Sequence, residues 1–213
     1  MQYANTVKPG NLEPTILLIA ALLATALSAV APFDWLTWWM EAVPVLIAFP
    51  ILLATRRRHP LTPLLYRLIF LHMLVLLLGA HYSYARVPLG FWLQDWLDLG
   101  RNHYDRIGHF MQGFMPAILS REILLRTGAA RRGGWLFFIC VCICLAFSAF
   151  YELIEWWSAV AAGNATLEFL GTQGDVWDAQ WDMFCALIGA LCSLLLLSRL
   201  HDRQLGAYGN RGA

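Results

Sequence analysis

The chain has 213 residues, 59% of them hydrophobic and 14% charged, with a formal net charge of +1. A soluble domain carries about 25% charged residues, so a wholly water-solvated surface is excluded and the lipid bilayer becomes the implied partner. A net charge this small gives no case for a nucleic-acid partner.

Six apolar runs follow in chain order, each close to the ~20 residues that cross the hydrocarbon layer. The first is Thr15–Ala31. It follows Lys8 and ends in Ala29-Val30-Ala31, a small-x-small pattern compatible with signal-peptide cleavage, but the single lysine is balanced by Glu13 and makes a weak n-region. An uncleaved span is the reading adopted.

The second run, Trp39–Ala54, contains Pro44 and Pro50, which can bend a helix by removing backbone donors. Arg56, Arg57 and Arg58 come directly after it. The third run, Leu64–Gly79, carries His72, which reads as a packing residue with a hydrogen bond. The fourth and fifth runs are Ile107–Leu125 and Trp135–Trp157, separated by Arg126, Arg131 and Arg132. The sixth is Gln180–Leu197, leaving 198–213 as a tail.

Only helices can span here, because backbone groups in lipid must be satisfied within the segment. Stretches such as ICVCICLAF do not alternate as barrel strands do. The expected architecture is an all-α, polytopic transmembrane bundle of about six spans, one domain over 1–213. Its five cysteines lie in apolar runs without a C-x-x-C pair and read as packing residues.

Basic residues orient the bundle. With Arg56–Arg58 placed inside, twelve of the fifteen basic residues fall on the cytoplasmic side, and both termini lie there. The exceptions are Arg86, Arg101 and Arg106. Eleven of the fourteen carboxylates fall on the outer side. Trp35, Trp38, Trp39, Trp156, Trp157, Trp177 and Trp181 sit at that same outer boundary, as interfacial rings do. The expected location is a bacterial inner membrane.

Three polar segments meet this outer level. Asp105 and His109 are four residues apart on one helix face, as are Asp178 and Asp182, while Glu152 and Glu155 are three apart. Charged groups at the margin of a span turn inward and pair. Glu152 and Glu155 also lie at a helix C-terminus, where the dipole opposes negative charge. His109, Glu152, Glu155 and Asp182 are therefore the candidate acid–base residues. Arg86, Arg106 and Asp105 are the candidate contacts to substrate. Asp178, Asp182 and His109 are the candidate ligands of a divalent metal. Asp178 equally suits helix capping. Arg67, Arg121 and Glu122, near the cytoplasmic boundary, can snorkel, and Glu41 either joins the outer site or faces headgroups.

The segments HYSYARVPLGFWLQDWLDLGRNHYDRIGH, FYELIEWW and LGTQGDVWDAQWDMF resemble the YjdF-type family of uncharacterised bacterial inner-membrane proteins, over about Thr15 to Leu197. That resemblance implies a multi-pass inner-membrane protein and no activity. A fainter similarity is to VanZ-like membrane proteins, which carry an acid-basic-x-x-His step, a glutamate-bearing helix and a D-x-x-x-N-x-x-G motif. Asp105-Arg106-Ile107-Gly108-His109 matches the first, Glu152 or Glu155 the second, and Asp182 with Gly189 the third, although Ala186 stands where the asparagine would be.

Three functions fit these residues. One is an enzyme or binder at the outer leaflet, acting on an anionic lipid or a lipid-linked cell-envelope intermediate. The others are a small transporter or channel and a non-enzymatic scaffold or accessory protein. Neither a substrate nor an oligomeric state can be read from the sequence.

Overall fold

The structure is a computed structural model that describes residues 12–162 and 172–209. Lys8 and Arg211, two of the residues that orient the chain by charge, lie outside the described residues. Among the described residues there are seven α-helices and no strand: α1 Glu13–Ser28, α2 Trp35–Thr55, α3 Pro63–Tyr82, α4 Pro88–Leu97, α5 Tyr104–Thr127, α6 Gly134–Ala162 and α7 Asp178–Gly209.

Local chemistry sets several boundaries. Asp34 caps α2 by accepting from the Thr37 N–H at 2.6 Å. Prolines open α3 and α4, where the lost donor would have no partner. α4 stops at Asp98 in a left-handed conformation, φ 51°. Pro44 and Pro50 lie inside α2 without ending it.

Four helices are long and apolar enough to cross a membrane: α2, α3, α6 and α7. The sequence suggests six. α1 falls short at 16 residues, and α5 carries Asp105, Arg106, Arg121, Glu122 and Arg126 within its 24. Large apolar side chains such as Leu23, Phe147, Leu195 and Leu196 stay exposed, as expected of a surface solvated by lipid.

α5 packs most extensively on α7, with α6 against both. α3 lies along the other side of α5, and α1 and α2 pack on α3. The α5–α7 approach is a backbone contact. A Cβ built on Gly113 would overlap the Ala186 carbonyl oxygen, and one on Gly189 would overlap that of Phe110. Only glycine lets the two helices come this close. Cys140 and Cys144 are fully buried, and no cysteine among the described residues is in a disulfide.

The helix termini gather into two ends. The basic end holds the α2–α3 and α5–α6 connections and the last turns of α7. There Glu122 accepts from the Thr62 hydroxyl at 2.7 Å and from Arg126 at 2.9 Å. It also lies 3.0 Å from His201 Nε2. Arg121 bonds His201 Nδ1 at 2.8 Å and Asp202 at 2.8 Å. Glu122 and His201 are 1% and 0% exposed, so these groups lock helices together rather than reach for headgroups. The stretch read as a tail after Leu197 is helical up to Gly209, since α7 continues through it.

Candidate functional site

The opposite, acidic end is assembled from the first turns of α2, α5 and α7 and the last turns of α3 and α6. Asn102 pins the entry to α5. Its side chain accepts from the Tyr104 N–H at 3.0 Å and donates to the Val87 carbonyl at 3.0 Å. Gln173 brackets the Asn102 backbone, donating to its carbonyl at 2.7 Å and accepting from its N–H at 3.3 Å. These bonds hold the start of α5 beside the start of α7. Tyr84, from the short turn after α3, is buried between Gly79 and Gly108, where any Cβ would clash with its ring.

Within this frame the separated acidic residues converge. His109 Nε2 lies 3.7 Å from Asp105 Oδ1 and 3.7 Å from Glu152 Oε1. Asp105, His109 and Asp182 offer ligand atoms that all lie within 4.8 Å of one another, and so do His109, Glu152 and Glu155. His109 belongs to both groups and is their hinge. Residues read from three distant segments thus form one cluster across α5, α6 and α7.

The sequence left Glu41 between two roles, and the structure puts it inside. It is 4% exposed and is hydrogen-bonded by Tyr151, with Asp105 as its charged neighbour. His72 is buried on α3 near His109, and its Nε2 has no hydrogen-bond partner. The same is true of Glu152 Oε1 and Asp182 Oδ1, while Gln112 is a side-chain hydrogen-bonding neighbour of His109. Buried polar atoms without a partner are costly in a bilayer-spanning bundle.

Asp178 sits apart from these two groups. Its carboxylate is ion-paired with Arg101 at 2.5 Å. Arg101 also reaches Asp175 at 3.4 Å and the Thr172 carbonyl at 2.6 Å. Arg106 pairs with Asp175 at 2.9 Å and lies over the Trp181 ring, 5.1 Å from its centroid. Arg86 is exposed, with its guanidinium 4.3 Å from the Phe33 ring centroid. The arginines therefore rim the mouth, and the carboxylates lie beneath them. At that rim, burial and then the Arg106 and Arg101 charges push the His103 imidazole below its ordinary pKa.

Arg101 joins α5's entry to the segment leading into α7. Arg101→Ala is expected to raise deuterium uptake at residues 172–178 several-fold and to leave the uptake of α3 unchanged. Equal protection in the variant would show that this clasp has no holding role.

Signals for most of the cluster were present as i, i+4 and i, i+3 pairs. None marked Tyr151 or Gln112. Ala186, where the VanZ-like motif has asparagine, is fully buried with its backbone against Gly113.

A family model described as "Predicted membrane protein (DUF2238)" matches residues 14–203. The chain is also 53% identical over 202 residues to "Inner membrane protein YjdF" of Escherichia coli (strain K12), covering 93% of this chain and 97% of that protein. No solved structure matches. The location expected from hydropathy is thereby supported: this is a helical inner-membrane protein of bacterial type.

Proposed function

The chain belongs to the DUF2238 family of membrane proteins, and we propose that it works at the outer face of the bacterial inner membrane on a lipid-linked or cell-envelope substrate. The reading has α1, α2, α3, α5, α6 and α7 crossing as one transmembrane domain, with both termini in the cytoplasm. α5 spans ~36 Å at ~1.5 Å per residue, enough for the ~30 Å hydrocarbon layer despite its charges. Arg56, Arg57, Arg58, Arg126, Arg131 and Arg132 at the basic end then lie inside.

The observation that carries the proposal is the convergence of Asp105, His109, Glu152, Glu155 and Asp182 at the end of the bundle remote from those arginines. His109, Glu152, Glu155 and Asp182 are placed to take and return protons. Asp105, Arg86 and Arg106 stand where an anionic headgroup would meet the rim.

A transport path is less well supported. Such a path would have to continue inward from the cluster. One helical turn inward, α5 and α7 touch backbone to backbone at Gly113 and Gly189, which closes the route between those two helices.

Deleting the gene should change the abundance of at least one lipid-linked envelope intermediate, read by mass spectrometry of organic extracts. Wild-type protein should restore the profile, and Asp182→Asn, expressed to the same level, should not. Identical profiles in all three strains would contradict the proposal.

A further inference from the structure

The geometry points to a single divalent metal ion held by Asp105, His109 and Asp182, with Glu152 and Glu155 completing its coordination. This deepens the reading above and rests on it only in using the same side chains.

The distances are those of a ligand shell. Donors on one ion at roughly 2.0–2.2 Å stand about 3–4 Å from each other. The two 3.7 Å separations from His109 Nε2 fall in that range. The 4.8 Å limit on both groups is a spread that small side-chain rotations close around an ion. Because the same Nε2 faces both Asp105 and Glu152, the two groups can share one ion at His109.

A cluster of acids is common without any ion, so the unpartnered atoms matter more. Asp182 is 2% exposed and His109 4%, and both belong to the cluster. Asp182 Oδ1 and Glu152 Oε1 find no hydrogen-bond partner among the described residues. A metal at the centre would occupy the two carboxylate oxygens directly. It would also fix His109 as the tautomer with Nε2 on the ion and a proton on Nδ1. Gln112, on the next turn of α5, is the side-chain hydrogen-bonding neighbour of His109. A ligating histidine ordinarily gives its other N–H to such an acceptor, and Gln112 is already placed for that role.

Charge balance leads the same way. Asp105, Glu152, Glu155 and Asp182 lie together, with Glu41 behind them. Arg101 and Arg106 at the rim are engaged by Asp175 and Asp178. A divalent cation would offset the remaining repulsion where water cannot. Asp178, a ligand candidate from sequence, belongs to that rim through Arg101 and not to the shell. Oxygen donors with one imidazole suit Mn2+ or Zn2+ and would not select copper or a thiolate-bound ion.

The test uses the full chain in detergent, stripped with a chelator and titrated with Mn2+ by electron paramagnetic resonance, and with Zn2+ by calorimetry. Wild type should bind about one ion per chain. His109→Ala and Asp182→Asn, each confirmed as monodisperse and helical, should weaken binding at least tenfold. A variant that fails to fold is replaced by Glu155→Gln, which should weaken binding measurably. Wild type that binds neither ion overturns the inference, as do folded variants that bind like wild type. Loss of binding in Asp182→Asn with an unaltered lipid profile in cells would uphold the metal site and overturn the substrate reading. An altered profile without metal binding would do the reverse.

Discussion

Replacing Glu122 by alanine is expected to cost about 3–5 kcal/mol of stability, the range for removing one member of a buried charge network. Glu122 is 1% exposed and receives hydrogen bonds from the Thr62 N–H and hydroxyl and from Arg126. His201 Nε2 lies against the same carboxylate and is itself fully buried. Alanine would take from the Arg126 charge its carboxylate and from the Thr62 and His201 Nε2 groups their shared partner, and those groups tie α5 to α7 and to the α2–α3 connection. The measurement is an SDS titration in mixed micelles, followed by tryptophan fluorescence. Glu122→Gln should lose less, because its amide oxygen still accepts from Thr62 while the charge opposite Arg126 is gone. An alanine variant as stable as wild type would show that the network bears no load.

The second large effect is expected at the α5–α7 crossing. Gly189→Val places atoms where the Phe110 carbonyl already lies, and the nearest obstacles are backbone, which cannot rotate away. Overpacking of a core costs about 1–3 kcal/mol, occasionally more, and here the valine should reach or exceed the upper figure. Gly113→Val should behave alike, against Ala186. Gly206→Ala is the control, since a Cβ there meets nothing within 4 Å. Alanine should be neutral or slightly stabilising at that helical position. Yield of monodisperse protein and SDS midpoint read all three. Equal behaviour of Gly189→Val and Gly206→Ala would contradict the close crossing.

Much of this architecture is written in hydropathy, because burial in lipid selects long apolar runs. The six runs coincide with six of the seven helices, though only four of those helices meet a strict length and apolarity criterion. α4 escapes notice because ten residues of mixed Leu, Trp, Gln and Asp are too short to span and too apolar to look like a loop. The last turns of α7 escape because Arg199, His201, Asp202 and Arg203 look like a solvated tail. The α5 partners of His201 and Asp202 lie some 80 positions away, and no local pattern encodes such a pairing.

The acidic end was more legible. Asp105 with His109, and Glu152 with Glu155, announce shared faces by spacing alone, and the charge distribution puts them at one level. Which helices adjoin is a property of the fold. Spacing therefore could not distinguish Asp182, which faces His109, from Asp178, which Arg101 holds at the rim. Nor could it place Glu41 beside Tyr151.

Cross-linking between α5 and α7 tests the convergence most directly. Asp105→Cys and Asp182→Cys would be combined in a chain whose five native cysteines are replaced by alanine, with a protease site between α5 and α6. In membranes, a short thiol-reactive cross-linker should keep the two fragments joined after cleavage, and each single cysteine alone should let them part. Fragments that separate in the double variant, despite both cysteines reacting with a monofunctional reagent, would contradict the convergence of these residues into one site.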